Sequence, residues 1–311
     1  MKHVDIVIPL FNEEENIIFC VENIQEAFKT LPYSYSVVLV DDGSTDNSLL
    51  LLRNLFLLDK SIGYISLSRN FGHQMALKAG IDQCQGDCLI TMDGDGQHPA
   101  SLIPDLLRRW EEGYDVVYTV RNESNIKMSF LKKFGSDIFY RLLNKLADLH
   151  LEKGAADFRL LTKRIVNIIQ GMDEHELFIR GMVKWVGFRQ LGISYEVCER
   201  RSGKTKYDLS KMIRFALQGI TSFSTKPLYI AAYLGFSFSL VSLLYIPYIL
   251  ISYLFGHIVS GWMSLIVTIA FFGGMELSIL GIIGLYLGKV FMQGKSRPLY
   301  LVKEKKLRNG E

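Results

Sequence analysis

"YSVVLVDDGSTD", residues 35–46, is an apolar run that ends in an acidic turn. Val37, Val38, Leu39 and Val40 show no alternation with polar residues, so they predict a strand buried on both faces. The same form occurs twice more. "HVDIVIPLF" (3–11) runs into "NEEEN", and "DCLITMD" (87–93) runs into "GDGQHP". A further strand is predicted over "IGYISLSRN" (62–70), and helical stretches separate the strands: "NSLLLLRNLFLLD" (47–59) and "GHQMALKAGIDQCQG" (72–86). The first helix, from "NEEENIIFCVENIQEAFKTL", has Ile17, Ile18, Val21, Ile24 and Phe28 at helical spacing. Asn12 is its expected N-cap, with Glu13, Glu14 and Glu15 filling the first turn.

This β-α rhythm predicts an α/β fold: a doubly wound, mostly parallel sheet with helices on both faces. Ligands of such sheets bind beyond the carboxyl ends of the strands. The polar clusters "FNEEE", "DDGSTD" and "DGDGQ" all follow strands, so the fold brings them to one edge.

Of the 311 residues 49% are hydrophobic, and the mean hydropathy is +0.18. The surplus is concentrated after Leu228. Residues 228–255 carry no charge, and 262–288 carry only Glu276; each exceeds the roughly 20 residues that cross a bilayer. The connection "GHIVSG" (256–261) has no Lys or Arg, whereas Lys226 precedes the first span and Lys289, Lys295, Arg297, Lys303, Lys305, Lys306 and Arg308 follow the second. The positive-inside rule therefore puts both ends in the cytoplasm. Glu276 is costly at mid-membrane unless it is paired or faces protein, and Gly273, Gly274, Gly281, Gly284 and Gly288 favour close helix packing.

Residues 127–149 form an expected amphipathic helix. Phe130, Phe134, Ile138, Leu142, Leu146 and Leu149 make one stripe beside a basic flank. Packing on the sheet and lying on an anionic membrane surface both fit it. The expected organisation is a cytoplasmic catalytic domain over 1–208, an interfacial helix over 209–226, two transmembrane helices within 227–290 and a basic tail over 291–311. A net charge of +3 argues against nucleic acid as a partner. Cys20, Cys84, Cys88 and Cys198 lack metal-site spacing and favour a reduced compartment. No signal-peptide core precedes the first charges, which agrees with a cytoplasmic first domain.

Asp93 and Asp95 sit two residues apart on a turn. Mg or Mn takes one or two carboxylates and leaves positions for water and phosphate oxygens, which this pair suits. Paired acid/base carboxylates for glycoside hydrolysis stand about 5 to 9 Å apart on opposite sides of a sugar, which one tight turn suits poorly. A plain acidic turn fits the local sequence as well.

"IPLFNEEENI", "VVLVDDGSTDNS", "RNFGHQMALKAG" and "TMDGDGQHP", in that order, resemble the GT-A glycosyltransferases of family 2. The resemblance implies a nucleotide-sugar donor. Pro9, Phe11 and Glu13 then line the nucleoside, Asp42 accepts from the base with Asp41 beside it, and Asp93, Asp95 and Gln97 hold Mg or Mn on the diphosphate. Downstream, "ADFRLL" (156–161), "ERRSGKTKYDL" (199–209) and "KSRPLYLV" (295–302) extend the resemblance to polyisoprenyl-phosphate glycosyltransferases. That group holds dolichyl-phosphate mannose synthases and, with a two-span tail like this one, bactoprenol glucosyltransferases. The Q-x-x-R-W motif of processive synthases is missing; "LRRWEEG" (107–113) lies too early and lacks the glutamine.

For this group the resemblance implies an acceptor phosphate held by Arg121, Lys132, Ser136, Arg200 and Lys206. Asp157 matches the position assigned the base, although a phosphate monoester is already largely ionised at neutral pH. The implied reaction moves glucose from UDP-glucose to undecaprenyl phosphate in the inner or plasma membrane, with inversion. The implied assembly is a homo-oligomer, with a tetramer as the form the group suggests. GDP-mannose, UDP-N-acetylglucosamine or an aminoarabinose donor would give the same reaction type. The competing class, a non-catalytic membrane assembly subunit, sits poorly with intact Asp93, Asp95, Gln97 and Asp157. A dehydrogenase fails for want of G-x-G-x-x-G. One departure stands out: relatives often carry an acidic residue where this chain has Gly154.

Overall fold

Strand β1 (His3–Leu10) is buried from Val4 onward, because alternate side chains serve two different cores. Val4, Ile6, Ile8 and Leu10 pack on one face with Ile17, Val21 and Ile24 of α1 (Ile17–Phe28) and with Ile103, Leu106 and Leu107 of α4 (Ile103–Glu111). Val7 faces the other way. It joins Val38 and Val40 of β2 (Ser34–Asp41), Ala76 and Leu77 of α3 (His73–Ile81), and Ile165, Val166 and Ile169 of α5 (Lys163–Gln170). A strand apolar on both sides needs helices on both sides, and here it has them.

The chain's structure is a computed structural model that describes residues 1–122, 152, 154–175, 177–196, 219–255 and 261–307. The expected amphipathic helix at 127–149, most of the expected interfacial helix, and Lys132, Ser136, Arg200 and Lys206 lie outside the described residues.

The remaining elements are α2 (Ser48–Leu58), β3 (Ile62–Leu67), β4 (Cys88–Thr91), β5 (Val116–Arg121), β6 (Ala155–Thr162), α6 (Ile179–Trp185), β7 (Gln190–Tyr195), α7 (Lys226–Leu254), α8 (Trp262–Gly294) and β8 (Val302–Lys306). The sheet order is β7-β5-β6-β4-β1-β2-β3-β8. Strands β3, β2, β1 and β4 run parallel; β6 is antiparallel to both β4 and β5, and β7 is parallel to β5. After β1 the chain builds outward to β2 and β3, then returns to the other side of β1 for β4. That reversal is a topological switch point, where the carboxyl ends of β1 and β4 open a crevice. The register aligns the strand ends, with Leu10 opposite Asp41, Asp41 opposite Ser66 and Val7 opposite Thr91.

Two expectations are corrected. Asn12 is not the helix cap: α1 starts at Ile17 with Asn16 in the cap position, so the three glutamates precede the helix. Asn12 instead has φ 54°, a left-handed conformation that asparagine tolerates. Its side-chain oxygen accepts the Thr45 amide at 2.8 Å and its own amide donates to Ser44 Oγ at 2.9 Å, lacing the β1 loop to the β2 loop. The second correction concerns the basic tail. Val302–Lys306 forms β8, antiparallel on the open edge of β3. Arg53 donates two bonds to Glu304, Tyr64 Oη pairs with the same carboxylate, and Tyr300 Oη donates to Asp82 at 2.8 Å. "VKEKK" reads as a solvated charge run, and exposed lysines are what protect an edge strand from further pairing.

Helices α7 and α8, of 29 and 33 residues, are long and apolar enough to cross a membrane. In the most apolar window of α8 no residue is buried inside the protein, unlike a core helix. Phe236, Leu244, Leu277 and Leu287 are all exposed, an outer surface suited to lipid. Phe238 meets Phe271 and Phe272 across the pair, with ring centroids 5.7 and 5.9 Å apart. Glu276 faces outward from the pair. At about 1.5 Å per residue, α8 is roughly 50 Å long, more than a hydrocarbon core of about 30 Å. Its last turns bond to the segment just before α7, Tyr286 Oη donating to the Ser224 carbonyl at 2.6 Å and Lys289 Nζ to Ser222 Oγ at 3.2 Å. They dock on the globular domain through Gln293, whose Nε2 donates to the Asp173 carbonyl and whose Oε1 accepts the His175 amide, both at 2.7 Å. The chain then enters β8. Both ends of the helical hairpin therefore join the same domain.

Candidate active site

The β1 and β2 ends form one wall of the crevice. Asp41 is buried, and its oxygens accept the Ser44 amide at 2.9 Å and the Ser66 hydroxyl at 2.8 Å. Asp42 accepts the Phe71 amide at 2.7 Å and the Gly72 amide at 2.9 Å, one on each oxygen. Burial pushes its carboxyl up, and the two amides oppose that shift. Asp42 thereby pins the 70–72 loop against the β2 turn. Gly43 makes the approach possible: its φ is +69°, and a Cβ there would lie 2.4 Å from the Arg69 carbonyl carbon. Pro9 is buried at the end of β1, Phe11 is exposed beyond it, and Glu13 accepts from the Asn16 side chain at 2.6 Å.

The opposite wall is the turn after β4. The Asp93 amide donates to His98 Nδ1 at 3.0 Å. His98 is buried, stacked on Phe158 with ring centroids 5.3 Å apart. Burial lowers its pKa despite nearby Asp93. An imidazole that accepts at Nδ1 carries its proton on Nε2. Asp95 Oδ1 accepts the Gln97 amide at 3.1 Å. Asp93 Oδ1 is buried and accepts no hydrogen bond, leaving a hard anionic oxygen for a cation.

Asp157 on β6 completes the centre. Arg180 of α6 grips it in a fork, Nε to Oδ1 at 2.8 Å and Nη2 to Oδ2 at 2.7 Å. Arg159 Nη2 adds a bond to Oδ1 at 3.0 Å. Burial would raise this carboxyl, but Arg180, the nearby His73 imidazole and Arg159 outweigh it and hold it well below the usual carboxylate range. His73, at the start of α3, lies between two carboxylates, with Nε2 3.5 Å from Asp93 Oδ1 and 3.6 Å from Asp157 Oδ2. Lost hydration lowers its pKa, yet Asp157 and Asp93 raise it further, for a net rise. His73, Asp93 and Asp157 bring one ligand atom each within 4.8 Å of one another, a group that can hold a metal ion. Asp157 is the weak member of that trio, since two guanidiniums already neutralise it and would repel a cation. Asp93, Asp95 and Gln97 instead offer a set of hard oxygen donors, the kind that suits Mg or Mn.

Arg121 ends β5, where its amide donates to the Gly154 carbonyl at 2.9 Å. Gly154 has φ +82°, and a Cβ there would sit 3.0 Å from the Arg121 carbonyl oxygen. An acidic side chain would be strained at this position, which is a physical reason for the departure noted in the sequence. A separate cavity of about 390 Å³ lies at the amino ends of the strands, remote from the crevice. Its polar groups satisfy one another: Asp5 accepts the Gly86 amide at 2.7 Å and the Ser36 hydroxyl at 2.5 Å.

The family model for Glycosyl transferase family 2 matches residues 5–167, which span β1 to the start of α5 and every strand end just described. The chain belongs to glycosyl transferase family 2. Among its relatives, "Uncharacterized glycosyltransferase YkcC" of Bacillus subtilis (strain 168) is 40% identical over 300 residues, covering 96% of this chain and 93% of that one. The bactoprenol glucosyl transferase of Shigella phage SfX is 36% identical over 304 residues, 97% of this chain and 99% of that one. These matches run through the helical hairpin as well as the globular domain. Among solved structures, mannosyl-3-phosphoglycerate synthase from Rubrobacter xylanophilus shares the fold, with a TM-score of 0.50 at 14% identity over 71% of this chain and 73% of that one.

The family 2 crevice brings together Pro9, Phe11, Glu13, Asp41 and Asp42 on one wall and Asp93, Asp95, Gln97 and Asp157 on the other, with Arg121 at the far end. Sequence reading passed over Arg180 and His73. Arg180 left a signal as the lone charge in "LFIRGMV" (177–183), a stretch otherwise without charge. His73 left none, because its carboxylate partners come from β4 and β6.

Proposed function

We propose that this family 2 enzyme transfers glucose from UDP-glucose to a polyprenyl phosphate, undecaprenyl phosphate in a bacterial membrane, with inversion at the sugar. The observation that carries this reading is the closed hairpin. Two apolar helices leave the domain that holds the Asp93-Gly-Asp95 turn and return to its sheet as β8. Such a domain is tied to a bilayer surface, where a lipid phosphate presents its head group. The bactoprenol glucosyl transferases that match over nearly the whole chain name glucose and a lipid of this class. Positive flanks put the catalytic domain and both termini on the cytoplasmic side. Pairing of the hairpin's glycine-rich outer face would give the expected homo-oligomer and cover Glu276.

In this mechanism the nucleoside lies against Pro9, Phe11, Glu13, Asp41 and Asp42. An oxygen of the acceptor phosphate attacks C1 of the sugar as the bond from C1 to the diphosphate oxygen breaks, and UDP leaves. Asp93, Asp95 and Gln97 would hold a divalent cation, which would neutralise charge on the departing diphosphate. Arg121, with Lys132, Ser136, Arg200 and Lys206, binds the acceptor phosphate. Little is asked of a general base, since that phosphate is largely ionised. A carboxylate held well below its ordinary range is a poor proton acceptor, so Asp157 orients Arg180 and His73 toward the reacting groups.

The test is purified protein with undecaprenyl phosphate and a panel of UDP-glucose, GDP-mannose, UDP-N-acetylglucosamine and an aminoarabinose donor. The expected product is a lipid-phosphate hexose from UDP-glucose. Product from another donor alone would replace the sugar. No product from any donor would favour a non-catalytic assembly subunit.

A further inference from the structure

Among the described residues, Arg121 Nε, Tyr195 Oη and His98 Nε2 are buried and have no hydrogen-bond partner. Such groups are rare in folded proteins and unfavourable. These three are neighbours. Arg121 and Tyr195 are register partners across the parallel pair β5 and β7, so their side chains leave the same face side by side. The Tyr195 ring meets His98 edge-on, with centroids 6.1 Å apart. His98 and Tyr195 are only 4% and 5% exposed, so bulk water does not satisfy them. All three can donate: arginine Nε always, the phenol by its hydroxyl, and His98 at Nε2 because Nδ1 already accepts the Asp93 amide. Asp93 Oδ2 lies 3.6 Å from His98 Nε2, beyond hydrogen-bond distance. Arg159 Nε is also without a partner but belongs to the opposite face, since Arg159 alternates with Phe158 along β6.

Arginine Nε and His98 Nε2 can only donate, and the Tyr195 hydroxyl, with Arg121 close beside it, can donate onward; the group therefore suits a ligand made of acceptors, and the guanidinium selects an anion. The group sits at the carboxyl ends of β5 and β7, across Asp93 from the nucleotide strands β1 to β3. We propose that Tyr195 and His98, together with Arg121, form a phosphate-oxygen pocket that receives the phosphate monoester of the acceptor. This rests on the acceptor reading above and adds Tyr195 and His98 as its binding residues.

The test is Tyr195→Phe, which removes one hydroxyl and nothing else. Full-length wild-type and variant protein in detergent are titrated with farnesyl phosphate, inorganic phosphate and UDP, and their melting temperatures are measured. The expected result is a roughly tenfold or greater loss of farnesyl phosphate affinity, the scale of one hydrogen bond to a charged group. UDP affinity should hold, and melting should change little, because the lost hydroxyl makes only a loose approach to Arg121 inside the protein. Arg121→Lys, which keeps the charge and loses Nε, should weaken the same ligand. Equal farnesyl phosphate affinity in wild type and Tyr195→Phe would overturn the pocket in favour of an ordered water. So would a wild type that does not bind farnesyl phosphate, and inorganic phosphate binding alone would overturn the lipid source. A lowered melting temperature with lost UDP affinity would make Tyr195 structural. The transferase reading fails separately: tyrosine-dependent farnesyl phosphate binding without any lipid-linked sugar would refute that reading and leave the pocket standing.

Discussion

Asp157→Asn tests the charge balance at the centre of the crevice. The wild-type carboxylate takes three guanidinium hydrogen bonds, two from Arg180 and one from Arg159, at 2.7 to 3.0 Å. Arg159 is 4% exposed, and the Arg180 side chain is 29% exposed. An amide can accept one or two of those bonds but brings no charge, so buried cations lose their counter-ion. Removing one partner of a buried pair costs about 3–5 kcal/mol. Partial solvent access at Arg180 puts this case near the lower end, about 3 kcal/mol. For a domain of this size, each kcal/mol moves the melting point by about 2–4 °C, so a fall of roughly 6–12 °C is expected. The pH dependence has a definite sign. A depressed carboxyl contributes stability above its unfolded value of about 3.9 and loses it as pH falls toward the folded value. The gap between wild type and variant should therefore be flat from pH 8 to pH 5 and close only under strong acid. Adding Arg180→Met should recover at least about 1 kcal/mol relative to the sum of the single changes, since the two side chains are directly bonded and the second change removes the cation that lost this carboxylate. Differential scanning fluorimetry in detergent reads all three proteins. Turnover of Asp157→Asn should fall while UDP affinity holds. An unchanged melting temperature, or strictly additive effects with Arg180→Met, would refute the pairing.

Asp95→Ala should abolish metal-dependent UDP binding; calorimetry with and without Mg or Mn checks it, and equal affinities in the two titrations would count against the Asp93, Asp95 and Gln97 set. Gly43→Ala forces a methyl to within 2.4 Å of the Arg69 backbone at a left-handed φ, so misfolding or a loss of UDP binding should follow. Truncation after Tyr300 removes β8 and bares the β3 edge; lower melting and concentration-dependent aggregation by light scattering are expected.

The central sheet was legible because its signals are local. Val37, Val38, Leu39 and Val40 lack alternation since both their faces are covered, and the acidic turns mark where such strands stop. The apolar lengths of α7 and α8 were legible for the same reason. What sequence reading missed depends on contacts made far along the chain. "VKEKK" becomes a strand only because β3 offers an open edge some 240 residues earlier, as the Tyr64–Glu304 separation shows. Arg180 becomes part of the centre only because α6 carries it to Asp157, 23 positions away. Asn12 was read as a cap from residue type alone, whereas its left-handed backbone and its bonds to the β2 turn decide its role. The place of His98 also depends on a contact the motif does not show, its Nδ1 accepting the Asp93 amide.

The most direct test is a mass measurement on the lipid. Purified protein in vesicles containing undecaprenyl phosphate is given UDP-glucose and Mg or Mn, and the extracted lipid is weighed against an Asp95→Ala control. The predicted result is undecaprenyl phosphate heavier by one hexose, one UDP released per lipid converted, and no UDP release when the lipid phosphate is omitted. UDP release that is independent of lipid phosphate, or an unmodified lipid with wild-type protein, would contradict the account.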